Sequence, residues 1–223
     1  MGLKKNLDLV LYDKIKDRLI SGSYLPGQKI YIDEVADHYG GSRTPVVPAV
    51  KRLENEKILI AASNGRVMVP EYTEKEILDI CRARLLIEGF AIDTICEQHN
   101  GTVLDRLRTL AGEFEQCDMK DEYVKSCKAD LALHKALVAG AGNHLIDDLY
   151  SVVQGRFLVV SYLSITVKLR NQERTVQQHS DLLDSLDAFD AKRSIEILRE
   201  HIMDISGQIL EIHGHELTAQ ETI

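Results

Sequence analysis

Asp130 and His134 lie four residues apart in the run Asp130-Leu-Ala-Leu-His134. On a helix that spacing projects a carboxylate and an imidazole from one face. Two more histidines, His179 and His201, fall in later stretches of helical periodicity. One carboxylate and three imidazoles converging inside a bundle would bind a divalent transition ion, with Zn, Ni and Mn all chemically suitable. Spacing alone does not bring the later helices to Asp130. The remaining histidines, His38, His99, His144, His213 and His215, read as structural or exposed side chains. A second group of residues suits different chemistry. Ser42, Arg43 and Thr44 follow the break Gly40-Gly41 and open a helix, with Ser42 as its N-cap. An arginine in such a first turn can donate two parallel hydrogen bonds to guanine O6 and N7, and Thr44 can reach a phosphate or a thymine methyl.

The elements that must position these groups can be read from periodicity and turn chemistry. Residues 7 to 21 carry Leu7, Leu11, Ile15, Leu19 and Ile20 at helical spacing, and Ser21 to Gly27 forms a turn-rich connector. A short segment from Tyr31 to Tyr39, then the Gly40-Gly41 break, then a helix from Ser42 to about Lys57 make a helix-turn-helix pattern. Ile58-Leu59-Ile60-Ala61 and Val67-Met68-Val69 read as two strands around Asn64-Gly65, a strong hairpin signal. Beyond Pro70 the pattern is helix after helix. Thr73 with Glu76 caps a helix to about His99, and Thr102 with Asp105 starts a second that ends near Asp118. Four more are expected over 121–139, 144–167, 172–188 and 191–213. The expected fold is mainly α: a winged helix-turn-helix over residues 1–70 and an all-α helical bundle over 71–223.

Charge divides at the same place. Up to Pro70 the chain has eleven Lys and Arg against eight Asp and Glu, a net +3; the remainder has sixteen against twenty-seven, or -11. A mildly basic head on an acidic body suits a DNA-binding module joined to a part with another task. The absence of Trp and the scarcity of other aromatics favour helix packing through Leu, Ile, Val and Ala. Cys81, Cys96, Cys117 and Cys127 form no CxxC pair and read as reduced thiols. Neither a signal peptide nor a membrane span is expected, so the protein reads as cytoplasmic.

The run PGQKIYIDEVADHYGGSRTPVVPAVKRLENEKIL, followed by NGRVMV, resembles the winged-helix head of the GntR transcriptional regulators. Residues 73 to 213 resemble the helical FCD sensor domain of that family's FadR-type branch, and six helices point to its VanR-like form. The resemblance implies that Arg43 and Thr44 contact DNA, that Arg52 meets a phosphate, and that Gly65 at the wing tip approaches the minor groove. For Arg52 a solvated charge on a helix remains an equal reading. It also implies that Asp130, His134, His179 and His201 meet at one metal whose open positions take a small carboxylate effector. Arg84 matches a position facing that pocket, although an Arg84–Glu88 pair along the helix fits its spacing equally well. Asn143 reads mainly as a helix cap. A homodimer on a palindromic double-stranded DNA operator follows from the same resemblance.

The head departs from the family at Val47-Pro48, where Arg-Glu is usual. Val47 removes a guanidinium, and Pro48, at about the sixth helical position, deletes an amide donor. The recognition helix is therefore expected to start later or to kink. Two alternatives stay open: the same fold with weakened or lost operator binding, and a metal-dependent hydrolase. Against the hydrolase, the sequence has no HExxH or similar motif to supply a general base.

Overall fold

The computed structural model describes residues 7–39, 42–63, 66–117, 122–161 and 172–220. The head begins with α1 (Leu7–Ile20), which buries Leu11, Ile15, Leu19 and Ile20 on one face. The connector is held by Gly27, whose positive φ suits glycine and whose N–H donates to the Val69 carbonyl at 2.9 Å. Then follow β1 (Lys29–Ile30), α2 (Ile32–His38), α3 (Arg43–Asn55), β2 (Ile60–Ala61) and β3 (Val67–Met68). The strands form an antiparallel sheet in the order β1-β3-β2, with Ile30 and Ala61 both opposite Val67. The expected hairpin is present in shorter form, while its Asn64-Gly65 turn lies outside the described residues. Strand β1 had no sequence signal, because two residues cannot display alternation.

Helix α3 corrects one expectation. It starts directly after Ser42 and continues as one helix through Pro48 to Asn55. Pro48 lies on the exposed side, whereas Val46, Ala49, Val50 and Leu53 are buried. The backbone carbonyl that loses its partner to Pro48 therefore faces solvent, which lowers the cost of the missing hydrogen bond. Ser42 has the extended backbone of an N-cap, although its side chain makes no capping hydrogen bond.

The body holds six helices among the described residues: α4 (Glu74–Gln98), α5 (Thr102–Glu115), α6 (Tyr123–Ala139), α7 (His144–Ser161), α8 (Gln172–Asp187) and α9 (Ala191–Gln220). The Thr73–Glu76 capping box has both of its hydrogen bonds, and His99 closes α4 in the left-handed conformation. For α5 the cap is Gly101 and not Thr102, which is already helical. Asn143 caps α7, its Oδ1 accepting from the Leu145 and Ile146 amides at 3.1 and 3.3 Å. The part of the expected 144–167 helix beyond Ser161 lies outside the described residues. Helix α4 packs on α6, α7 and α9, α5 on α6 and α8, and α8 on α9. That arrangement turns one face each of α4, α6, α8 and α9 toward a common interior. Leu, Ile and Val dominate the core, and each buried one contributes on the order of 1.5–3 kcal/mol.

Head and body are in direct contact. Helix α1 packs on α6 and α7, and Lys128 on α6 pairs with Asp17 on α1 at 2.9 Å. Gly155 on α7 lies against the Glu56 carbonyl at the end of α3, where a Cβ would come within 2.0 Å of that oxygen. No described helix is long and apolar enough to cross a membrane. All four cysteines are buried free thiols.

Candidate metal centre and DNA-reading face

Helix α6 carries Asp130 and His134 one turn apart, α8 carries His179 and α9 carries His201. All four are buried, with one potential ligand atom from each lying within 4.8 Å of all the others. His134 Nε2 and His201 Nε2 are 3.1 Å apart, and His179 Nε2 is 3.4 Å from Asp130 Oδ1. The Phe114 ring covers the His179 ring edge-on at 5.0 Å.

The groups behind the imidazoles determine which nitrogen faces inward. His134 Nδ1 lies 2.7 Å from Glu88 Oε2. A carboxylate can only accept, so a neutral His134 keeps its proton on Nδ1 and presents a bare Nε2. On the far side His201 Nδ1 is 3.1 Å from Gln178 Oε1. With the His201 proton on Nδ1 toward that oxygen, two lone pairs would face each other at 3.1 Å and repel unless a proton or a cation lay between them. Nitrogens each about 2.0–2.1 Å from one ion are separated by about 3 Å. Burial, reinforced by the neighbouring His179 and His134, pushes His201 well below the usual imidazole range, which disfavours the proton. With Asp130 alongside, the donor set fits a divalent transition ion.

Glu88 anchors this cluster to α4 and α7. It accepts from Arg84 Nε at 3.0 Å and from the Tyr150 hydroxyl at 2.7 Å. Burial alone would raise its pKa, yet the imidazole of His134 and the guanidinium of Arg84 outweigh burial and hold it down at about 2. Burial and the Glu88 charge push the Tyr150 hydroxyl well up. The Arg84 guanidinium lies 4.0 Å above the Phe157 ring, and its Nη1 and Nη2 are buried with no hydrogen-bond partner among the described residues. Both sequence readings of Arg84 are therefore compatible: Nε pairs with Glu88 and two donors are left over. Ser126, one turn before Asp130, is likewise buried, its Oγ without a hydrogen-bond partner among the described residues.

In the head, Arg43 and Thr44 are exposed on α3, on the same side as Val47 and Pro48. Arg43 is engaged through Nε and Nη2 by both carboxylate oxygens of Asp33 on α2. Arg52 donates to Glu56 Oε1 at 3.1 Å and covers the Tyr12 ring at 4.1 Å. Gly65 lies outside the described residues. Arg66, beside it at the base of the wing, stacks on Tyr31 at 4.6 Å. Of the histidines set aside, His38 and His99 contact aromatic rings and His144 is exposed; the His213 and His215 side chains are outside the description. Sequence reasoning missed Tyr150, Gln178, Asp204 and Ser126. Ser126 and Asp204 carried a signal, their spacings of four from Asp130 and three from His201.

The fold defines a class: a helix-turn-helix head with a small antiparallel sheet, carried on an all-helical domain. Residues 7–69 match the bacterial regulatory proteins of the gntR family and residues 79–204 match the FCD domain. The chain belongs to the GntR family, in the group that carries an FCD domain. The HTH-type transcriptional repressor GlaR of Escherichia coli is 24% identical over 86% of this chain and 90% of its own length. The gluconate operon transcriptional repressor of Bacillus licheniformis is 23% identical over 89% and 83%. Among solved structures, E. coli McbR/YncC superposes with a TM-score of 0.79 at 20% identity, covering 93% of this chain and 98% of that one. A putative GntR regulator from Rhodococcus sp. RHA1 gives 0.73 at 18% identity, covering 92% and 97%.

Proposed function

We propose that this regulator responds to a small carboxylate held at a divalent transition metal by Asp130, His134, His179 and His201. The observation that carries this reading is the pair of inward Nε2 atoms on His134 and His201 beside Asp130 in a buried site. A bound ion there would offer open coordination positions to carboxylate oxygens. Arg84 supports an anionic effector, since its two leftover donors match a carboxylate bidentately. The relatives whose names mention repression act on transcription, in keeping with operator binding here. Arg43 and Thr44 then read bases, Arg52 meets a phosphate, and Gly65 at the wing tip approaches the minor groove. Arg52 would have to leave Glu56 and Tyr12 to do so.

The active species is a homodimer on a palindromic site in the cytoplasm. Leu86, Phe90, Leu145 and Leu149 support this, forming exposed apolar pairs one turn apart on the mutually packed α4 and α7. Domain boundaries at 1–70 and 71–223 place the junction between the wing and the α4 cap. The hydrolase alternative is weakened because Glu88, the carboxylate behind His134, is already occupied by Arg84, Tyr150 and His134.

Gel shift with DNA upstream of the protein's own gene, with and without added zinc and a panel of small carboxylates, tests the reading. Sequence-specific binding that responds to a carboxylate only when metal is present is expected. Metal-independent responses would contradict it. A second reading, weakened operator binding, is favoured by Val47 and Pro48 standing exposed on the reading face. Val47→Arg with Pro48→Glu is expected to change the preferred operator or tighten binding. Unchanged preference and affinity would remove that reading.

A further inference from the structure

The His134 ring is oriented by a carboxylate, whereas His201 is backed by an amide, and an amide can present either end. Gln178 lies one turn before residue 182 on α8 and one turn after Arg174, while Asp204 follows His201 by three positions on α9. Gln178 Nε2 donates to Asp204 Oδ2 at 2.7 Å, and the same oxygen accepts from Arg174 Nη2 at 2.6 Å. A carboxylate oxygen offers no proton, so it admits only the NH2 end of the amide. The carbonyl end of Gln178 is thereby left for His201 Nδ1, 3.1 Å away. Nδ1 must then be the protonated nitrogen, and Nε2 is left bare toward His134.

We propose that Gln178 and Asp204 are positioning residues that fix the tautomer of His201, so that its Nε2 is ready to ligate a cation. Polarity passes in one direction along the chain Asp204, Gln178, His201, from the partly exposed surface of α8 and α9 into the buried centre. Arg174 holds the outer end in place. For metal affinity the inference rests on the metal reading above. For the tautomer it stands on hydrogen-bond polarity alone. Partners that orient a metal-bound histidine are commonly worth about 10–100-fold in affinity.

The test reads both quantities. Side-chain nitrogen NMR of metal-free protein reports the His201 tautomer, and competition against a chelator reports zinc affinity. The unmodified protein is expected to carry the His201 proton on Nδ1. Gln178→Met, which keeps side-chain bulk but offers no carbonyl, is expected to shift the proton toward Nε2 and weaken zinc binding at least about tenfold. The double variant Gln178→Glu with Asp204→Asn reverses the outer polarity yet still accepts from Nδ1–H. It is expected to restore both tautomer and affinity, which loss of packing would not allow. An unmodified protein with the proton on Nε2 would overturn the inference, as would a Gln178→Met protein with unchanged tautomer and affinity. The expected tautomer without zinc binding would uphold the relay and overturn the metal reading alone.

Discussion

Glu88 accepts from Arg84, Tyr150 and His134 at the same time, in a place where water cannot substitute for any of them. Removing its charge leaves a buried guanidinium without its counter-ion. Glu88→Gln is therefore expected to cost on the order of 3–5 kcal/mol in denaturant unfolding. The pH dependence follows from the depressed pKa. An unfolded glutamate titrates near 4.3 and folded Glu88 at about 2. The stabilisation is fully present above the unfolded value and is lost as pH falls toward about 2. Melting temperatures measured between pH 6 and pH 3 should fall more steeply for the unmodified protein than for Glu88→Gln; parallel curves would contradict the assignment. In the head, Asp33 occupies the two Arg43 nitrogens that would reach a guanine. Asp33→Asn should strengthen operator binding and Arg43→Ala should weaken it at least about tenfold, both read by fluorescence anisotropy. An Asp33→Asn protein that binds no better would show that the pair does not compete with DNA. The Asp130–His134 pair was legible because helical spacing places both on one face. Glu88 meets His134 across 46 positions of sequence, and Gln178 meets His201 across 23, separations that no local pattern records.

Helix α6 has two occupied sides. Asp130 and His134 face the buried centre, while Lys128 reaches Asp17 on the head. Helix α7 completes the junction, with Gly155 against the Glu56 carbonyl. A small shift of α6 on metal or effector binding would thus be felt directly by α1. Gly155→Ala puts a methyl group into backbone that cannot yield as a side chain would. It is expected to cost on the order of 1–3 kcal/mol and to raise protease cleavage between the wing and α4. Unchanged stability and cleavage would mean that head and body are not held together there. Sequence reading found the body helices because their caps and breaks, Thr73 with Glu76 and Asn143, carry their own chemistry. The later start expected for α3 did not occur, since the helix opens at Arg43 and carries Pro48 inside it on the exposed side, a placement that only the tertiary structure shows. The Gly155 contact was illegible, since a glycine within a helical pattern does not name what approaches it.

The molecule as a whole keeps its mild positive charge in the head and its excess of acid in the body. Such asymmetry favours approach of DNA to the head over the acidic bundle. Head and body are then separate parts joined by direct contacts, Lys128 with Asp17 and Gly155 against Glu56; under the proposed function a change at the body's site would reach the head through them. The most direct measurement is elemental analysis of protein purified without chelators, paired with melting temperatures of single alanine variants at Asp130, His134, His179 and His201. A stoichiometric transition metal in the unmodified protein, lost together with thermal stability in each variant, is expected. A metal-free protein whose alanine variants melt at the same temperature would contradict the metal-centred account.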